Sequence, residues 1–365
     1  MIQKAIAKVA SATDLSEMEM MAVMEEIIAG RAKPSQVGAL LMGLRMKGET
    51  VEEITGAARV MRTKITSIPV TNSLVSLDRD EVNVDRETIL DTCGNGGDSA
   101  KTFNVSTTTA FVVAGCGLKV AKYGNRTLSA NCGSADVVES LGVRLDLTPA
   151  QVGACVEKVG IGFLYSPALH DALRNVFQPR REVGLRTIFN LITPLCNPAS
   201  AKVQVLGVYR ADRTETMARV MGNLGCKSGF VVHGQDSYDE ISITGVTTIS
   251  RLLEGRVTTS IIAPEDVGLT RARREDIMGG DALRNSAITK SILKGDHGAP
   301  RDMVLVNSAA ALVAAGRAET LKEGIGLAAE SIDSGRALGK LEQLAVMSLE
   351  FSSNEQRPSW NARWA

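Results

Sequence analysis

Residues 88–124 read "TILDTCGNGGDSAKTFNVSTTTAFVVAGCGLKVAKYG". "TILDTCG" at 88–94, with apolar Ile89-Leu90, fits a short strand, and a glycine cluster follows it directly. "STTTAFVVAGCG" fits a helix closed by glycine, and "LKVAKYG" a second strand. Strand, loop, helix and strand in that order make the repeating unit of a parallel sheet. The grammar continues downstream. "SADVVESLG" and "TPAQVGACVEKVG" predict helices, the second with Thr148 as N-cap and Pro149 in its first turn. "KVQVLGVYR" and "SGFVVHG" predict strands separated by the helix "RTETMARVMGNLG".

Upstream, the first 70 residues read as helices only. "LSEMEMMAVMEEIIAG" opens with a capping box, Ser16 with Glu19, and "ETVEEITGAARVMRTK" repeats it with Thr50 and Glu53. Between them "KPSQVGALLMGLRMKG" has Pro34 near a helix start and Gly48 at its end. The methionines here fall at helical spacing and suit core filling. Residues 71–87 are polar and aperiodic. The expected plan is an α/β protein: a small all-helical N-terminal domain (1–70), a linker (71–87), and a large α/β domain (88–345). That large domain should hold a mostly parallel sheet flanked by helices.

Composition narrows the function classes. Forty-one basic residues balance 41 acidic ones and no long Lys/Arg run occurs, so nucleic acid is an unexpected partner. No run of 18 apolar residues exists, which speaks against a membrane span. Lys4 and Lys8 interrupt any secretory apolar stretch near the start. Cysteines 93, 116, 132, 155, 196 and 226 form no CxxC pair, so reduced thiols in a cytoplasmic protein are expected rather than a zinc or iron–sulfur site.

The glycine loop fails both nucleotide templates. A P-loop ending at Lys101-Thr102 would need glycines where Asn95 and Ala100 stand, and the dinucleotide fingerprint starting at Gly94 meets Ser99 at its third glycine. A bare strand-end turn with no ligand therefore competes with a phosphate site. What favours the ligand is the start of the next helix, where Asn104, Ser106 and Thr107 accompany unpaired N–H groups and a positive dipole end. Lys122, Asn125, Arg126, Ser129 and Ser134 supply a second polar loop, which would share the same crevice at the strands' carboxyl edge.

Taken together, "GNGGD" (94–98), "NVST" (104–107), "KYGNR" (122–126), "RREVGLRTIFNLITPLCNP" (180–198) and "HGQDSYDEISITG" (233–245) resemble the motifs of the anthranilate phosphoribosyltransferases. Their order and approximate spacing hold from about residue 14 to residue 340. The resemblance implies a homodimer joined through the helical domain, 5-phosphoribosyl 1-pyrophosphate as donor, anthranilate as acceptor and Mg²⁺ as cofactor, in the tryptophan pathway.

Residue by residue, the resemblance assigns the donor to Gly94, Gly97, Asp98, Thr102, Asn104, Ser106, Thr107, Lys122, Ser129 and Ser134. It assigns the acceptor to Gly94, Tyr123, Asn125, Arg180 and Thr193, with Arg180 on the carboxylate, and the metal to Ser106, Asp239 and Glu240. No side chain is needed as nucleophile or acid–base catalyst, since the donor's leaving group carries the charge to be neutralised. His233, at a strand end beside the acidic loop, is expected to be structural or to support a neighbouring site residue. The chain departs from the family pattern at Asn95 and Tyr123, where Thr and His are usual, and at Ser99 and Thr193, where Gly is. Rival readings are a pyrimidine nucleoside phosphorylase, a transferase for another aromatic acceptor, and a non-catalytic nucleic-acid-binding relative.

Overall fold

The computed structural model describes residues 1–70, 88–95, 102–126, 132–166 and 174–353. The expected linker 71–87, and with it the assignments to Gly97, Asp98 and Ser129, lie outside the described residues.

Seven strands form one sheet: β1 (Ile89–Gly94), β2 (Lys119–Gly124), β3 (Ile161–Tyr165), β4 (Val203–Gly207), β5 (Ser228–Gly234), β6 (Thr247–Leu253) and β7 (Arg256–Ile262). They run in the order β3-β2-β1-β4-β5-β6-β7. The first five are parallel and the last two antiparallel. Strands β1 to β5 are buried along nearly their whole length, as parallel strands covered on both faces must be, whereas β7 is a largely exposed edge. The β6–β7 hairpin was not among the predicted elements. It turns on Glu254 and Gly255, at φ 47° and 79°, a two-residue turn of the kind that suits twisted strands.

From β1 the chain crosses through α5 (Val105–Gly115) to β2 and β3. It then returns to the other side of β1 as β4 and proceeds to β5. Direction therefore reverses between β1 and β4, which opens a crevice at their carboxyl ends.

One apolar core lies on each side of the sheet. Leu90, Val120, Val203, Val205 and Phe230 pack with α5 and with the helices Ala299–Ala314, Leu321–Asp333 and Arg336–Ser353. On the opposite face Cys93, Leu206, Val231 and Leu252 join α1 (Ile2–Ala10), α2 (Glu17–Ile28), α3 (Pro34–Lys47) and α4 (Val51–Thr63). The helices Arg174–Val183, Ile188–Ile192 and Thr214–Asn223 contribute to that second core. The small helical domain thus recruits helices from the middle of the chain and covers one face of the sheet.

Both expected capping boxes form, at Ser16–Glu19 and Thr50–Glu53. Glu53, fully buried, also accepts from the amide of Leu15 at 2.9 Å and pairs with Lys47 at 3.0 Å. A buried carboxylate is tolerable only with such compensation. Arg62 at the end of α4 donates to the carbonyls of Leu195 and Leu224, at 2.8 and 2.7 Å, and so ties α4 to the segment carrying Thr193. Among the described residues no helix is long and apolar enough to cross a membrane.

Candidate active site

The crevice is built around two glycines. A Cβ on Gly94, at the end of β1, would collide with the carboxylate of Asp239, and one on Gly207, at the end of β4, with the Asp239 backbone. Only glycine at both strand ends lets the loop after β5 lie across them. That loop is tightly folded: Gly234 receives its own chain back through a 2.9 Å bond from its amide to the Tyr238 carbonyl, with Ser237 at φ 69° and the Tyr238 ring fully buried. Further on, the Ser242 amide donates to the Thr247 hydroxyl at 2.9 Å. Asp239 and Glu240 are thereby carried to the carboxyl edge of β1 and β4, both only partly buried. No cluster of three or more His, Cys, Asp or Glu side chains suited to a metal occurs among the described residues. A metal here would draw on the acidic pair, hydroxyls and substrate oxygens, a hard-oxygen set that suits Mg²⁺.

Beyond the glycine loop the chain is pinned at Thr102, which bridges to Met278. Asn104 precedes α5, and its side-chain oxygen accepts from Asn285 Nδ2 at 2.9 Å. Asn285, buried, accepts in turn from the amide of Gly280 at 2.7 Å, while Gly279 has no room for a Cβ against the backbone of Thr102 and Phe103. Sequence reasoning missed this brace, although "GGD" at 279–281, a paired glycine before a helix N-cap, signals close backbone approach. Ser106 lies in the first turn of α5, its carbonyl accepting from Thr92 Oγ1 at 2.9 Å. Thr107 is buried with a hydroxyl that has no partner among the described residues. Ser134, first in α6 (Ser134–Ser140), donates to the Asn125 carbonyl at 3.4 Å, and a Cβ on Gly124 would meet its hydroxyl.

Lys122 is 3% exposed and turned inward, lining a cavity of about 10 Å³ with Thr107, Phe111 and Phe163. Its ammonium donates to the Tyr123 carbonyl at 3.4 Å and has no carboxylate within salt-bridge distance among the described residues. Arg180 is partly buried over the Phe189 ring, 5.2 Å from its centroid, and its guanidinium makes no ion pair or hydrogen bond among the described residues. Burial pushes its pKa below the ordinary guanidinium value. Its neighbour Arg181 is exposed. Asn125 is exposed, its side-chain oxygen accepting from the amide of Arg126 at 2.7 Å. Arg126 is committed to Asp136 and Glu139, at 2.6 and 2.7 Å.

Two further residues assigned to the acceptor, Tyr123 and Thr193, occupy packed positions. The Tyr123 ring is 4% exposed and its hydroxyl meets that of Ser166 at 2.7 Å, so it packs inside the fold. Burial pushes its pKa well up. Thr193 sits at φ −52°, ψ −51° and donates its hydroxyl to the Phe189 carbonyl at 2.6 Å. A β-branched residue is comfortable in that conformation, so the replacement of glycine leaves the backbone unstrained. His233 packs with Nδ1 2.7 Å from the Val208 carbonyl, consistent with a structural role.

Two buried polar residues near the site have no role in the motif reading. Asn95 is 8% exposed, and neither its amide nitrogen nor its oxygen has a partner among the described residues. Asp91 is fully buried, accepting from the Tyr123 amide at 3.1 Å. Burial raises its pKa against the opposing field of Lys122.

Comparison with known proteins agrees with this geometry. The glycosyl transferase family's helical bundle domain matches residues 3–65 and its a/b domain residues 86–338. The anthranilate phosphoribosyltransferase of Geotalea uraniireducens is 55% identical, over 96% of this chain and 100% of its own. That of Geobacter sulfurreducens is 54% identical, with the same two coverages. Among solved structures, the Thermus thermophilus enzyme superposes with a TM-score of 0.85 at 37% identity, covering 94% of this chain and 99% of its own. The Saccharomyces cerevisiae enzyme in complex with PRPP and Mg gives 0.84 at 26% identity, covering 96% and 98%. With both domain profiles matched in order and relatives this similar over nearly the whole length, the chain belongs to the anthranilate phosphoribosyltransferase family.

Proposed function

We propose that this protein transfers the phosphoribosyl group of 5-phosphoribosyl 1-pyrophosphate to the amine of anthranilate, the second step from chorismate to tryptophan. The bond from ribose carbon 1 to pyrophosphate oxygen breaks, the carbon–nitrogen bond forms, and the amine releases a proton. The observation that carries this reading is a pair of desolvated cations, Lys122 and Arg180, neither of which has a carboxylate in salt-bridge reach among the described residues. Holding a charge out of water is costly; Arg180 has no acidic partner among the described residues and Lys122 has only the field of buried Asp91, so both favour an anion. The planar fork of Arg180 suits the acceptor's carboxylate. Lys122 suits a phosphate once its flexible stem swings out of the interior.

The start of α5, with Asn104, Ser106 and Thr107, would hold donor oxygens, as would Ser134 and the backbone at Gly94. Asn125 would lie toward the acceptor. Mg²⁺, when bound, would neutralise the departing pyrophosphate, with Asp239, Glu240 and the Ser106 hydroxyl as its protein ligands. The protein would act as a cytoplasmic homodimer joined through its helical domain. The deciding experiment follows anthranilate consumption with the diphosphate donor and Mg²⁺. Turnover that vanishes in Asp239→Asn/Glu240→Gln, with the fold intact, supports the reading. Phosphorolysis of a pyrimidine nucleoside in its place would refute it.

A further inference from the structure

Asn307 lies in the helix Ala299–Ala314, far from the glycine loop in sequence, and is 2% exposed. Its side-chain oxygen accepts from the amide of Ile241 at 2.9 Å, and its Nδ2 donates to the Ile241 carbonyl at 2.9 Å. The second Nδ2 hydrogen goes to the Met303 carbonyl, 2.8 Å away and one turn earlier in the same helix. Both polar backbone groups of one residue are thus held by one carboxamide, whose plane is fixed by the helix that carries it. Ile241 directly follows Glu240 and is itself buried.

We propose that Asn307 is the positioning residue for the Asp239–Glu240 pair, setting the peptide plane after Glu240 so that both carboxylates face the site as cation ligands. This rests on the reading of that pair as metal ligands. The rest of the loop is secured elsewhere, by the Gly234–Tyr238 bridge before the pair and the Ser242–Thr247 bond after it. The bond pair at Ile241 fixes the peptide directly after Glu240. Buried partners that orient ligands typically change metal affinity roughly 10- to 100-fold when removed.

The test uses Asn307→Ala and Asn307→Ser in the full chain. Half-saturating Mg²⁺ for turnover should rise roughly 10- to 100-fold, with acceptor KM nearly unchanged. Mn²⁺ binding in the presence of pyrophosphate, read by electron paramagnetic resonance without turnover, should weaken in parallel. Folded variants with wild-type Mg²⁺ and Mn²⁺ dependence overturn the proposal while leaving the ligand reading intact. A wild-type enzyme indifferent to divalent cations overturns both. Should neither variant fold, hydrogen exchange of the Ile241 amide in the wild-type protein decides. Slowing on addition of Mg²⁺ and pyrophosphate supports the coupling, and indifference overturns it.

Discussion

Arg180→Ala separates the functional from the structural reading of the site. In the structure the guanidinium forms no ion pair or hydrogen bond among the described residues, and its packing partner is the Phe189 ring at 5.2 Å. Removing it should therefore lower stability by only about 0.5–2 kcal/mol, the range of a cation–π contact. If the same group binds the acceptor's carboxylate, a charge-assisted interaction of about 1.5–3 kcal/mol is lost. That corresponds to a rise of roughly ten- to a hundred-and-fifty-fold in acceptor KM, with donor KM nearly constant. Arg180→Lys should fall between, since a point charge replaces a planar fork. Steady-state kinetics varying each substrate separately, together with thermal unfolding, measures both quantities. An aromatic amine lacking the carboxylate provides the control: wild type and variant should use it equally poorly. An acceptor KM within about threefold of wild type in a folded Arg180→Ala protein would place carboxylate recognition elsewhere.

Thr193→Gly, which restores the family's residue, should destabilise the protein by about 1–2 kcal/mol, because it loses the 2.6 Å bond to Phe189 and frees the unfolded backbone; denaturant unfolding checks this. Asp91 is an acid whose folded pKa is raised, so the native state holds its proton more tightly than the unfolded chain does. Its contribution to stability is greatest at or below the ordinary carboxylate range and is lost as pH rises through the elevated folded value. Asp91→Asn, which can still accept from the Tyr123 amide, should flatten that decline, as urea midpoints across pH would show. Burial pushes the Cys155 thiol to about 11 and that of Cys196 to about 12. In the native protein at mildly alkaline pH a thiol reagent should leave both unlabelled, while the partly exposed Cys116 and Cys132 are the first to react; rapid native labelling of Cys196 would contradict its buried position.

Local chemistry and short-range period were legible along the chain alone. The capping boxes, the Thr148–Pro149 helix start, and the strands at 89–94, 119–124, 203–207 and 228–234 follow from neighbours a few residues apart. The motif set pointed to the family, because its residue types are dictated by the chemistry of a diphosphate and a carboxylate. Which of these groups are already satisfied was settled in three dimensions. Arg126 and Arg180 look alike in sequence, yet one is bound to Asp136 and Glu139 and the other has no acidic partner among the described residues. Tyr123 alternates with Lys122 on β2, and only the packing of helices against the sheet buries both side chains. Gly94 and Gly207 are separated by more than a hundred residues. Their shared role, clearance for Asp239, exists only because parallel pairing sets β1 beside β4 and the loop after β5 folds back over both. Likewise, nothing local marks Asn307 as a partner of Ile241. A carboxamide in an apolar helix finds its hydrogen bonds through burial, and burial is settled by the whole chain at once.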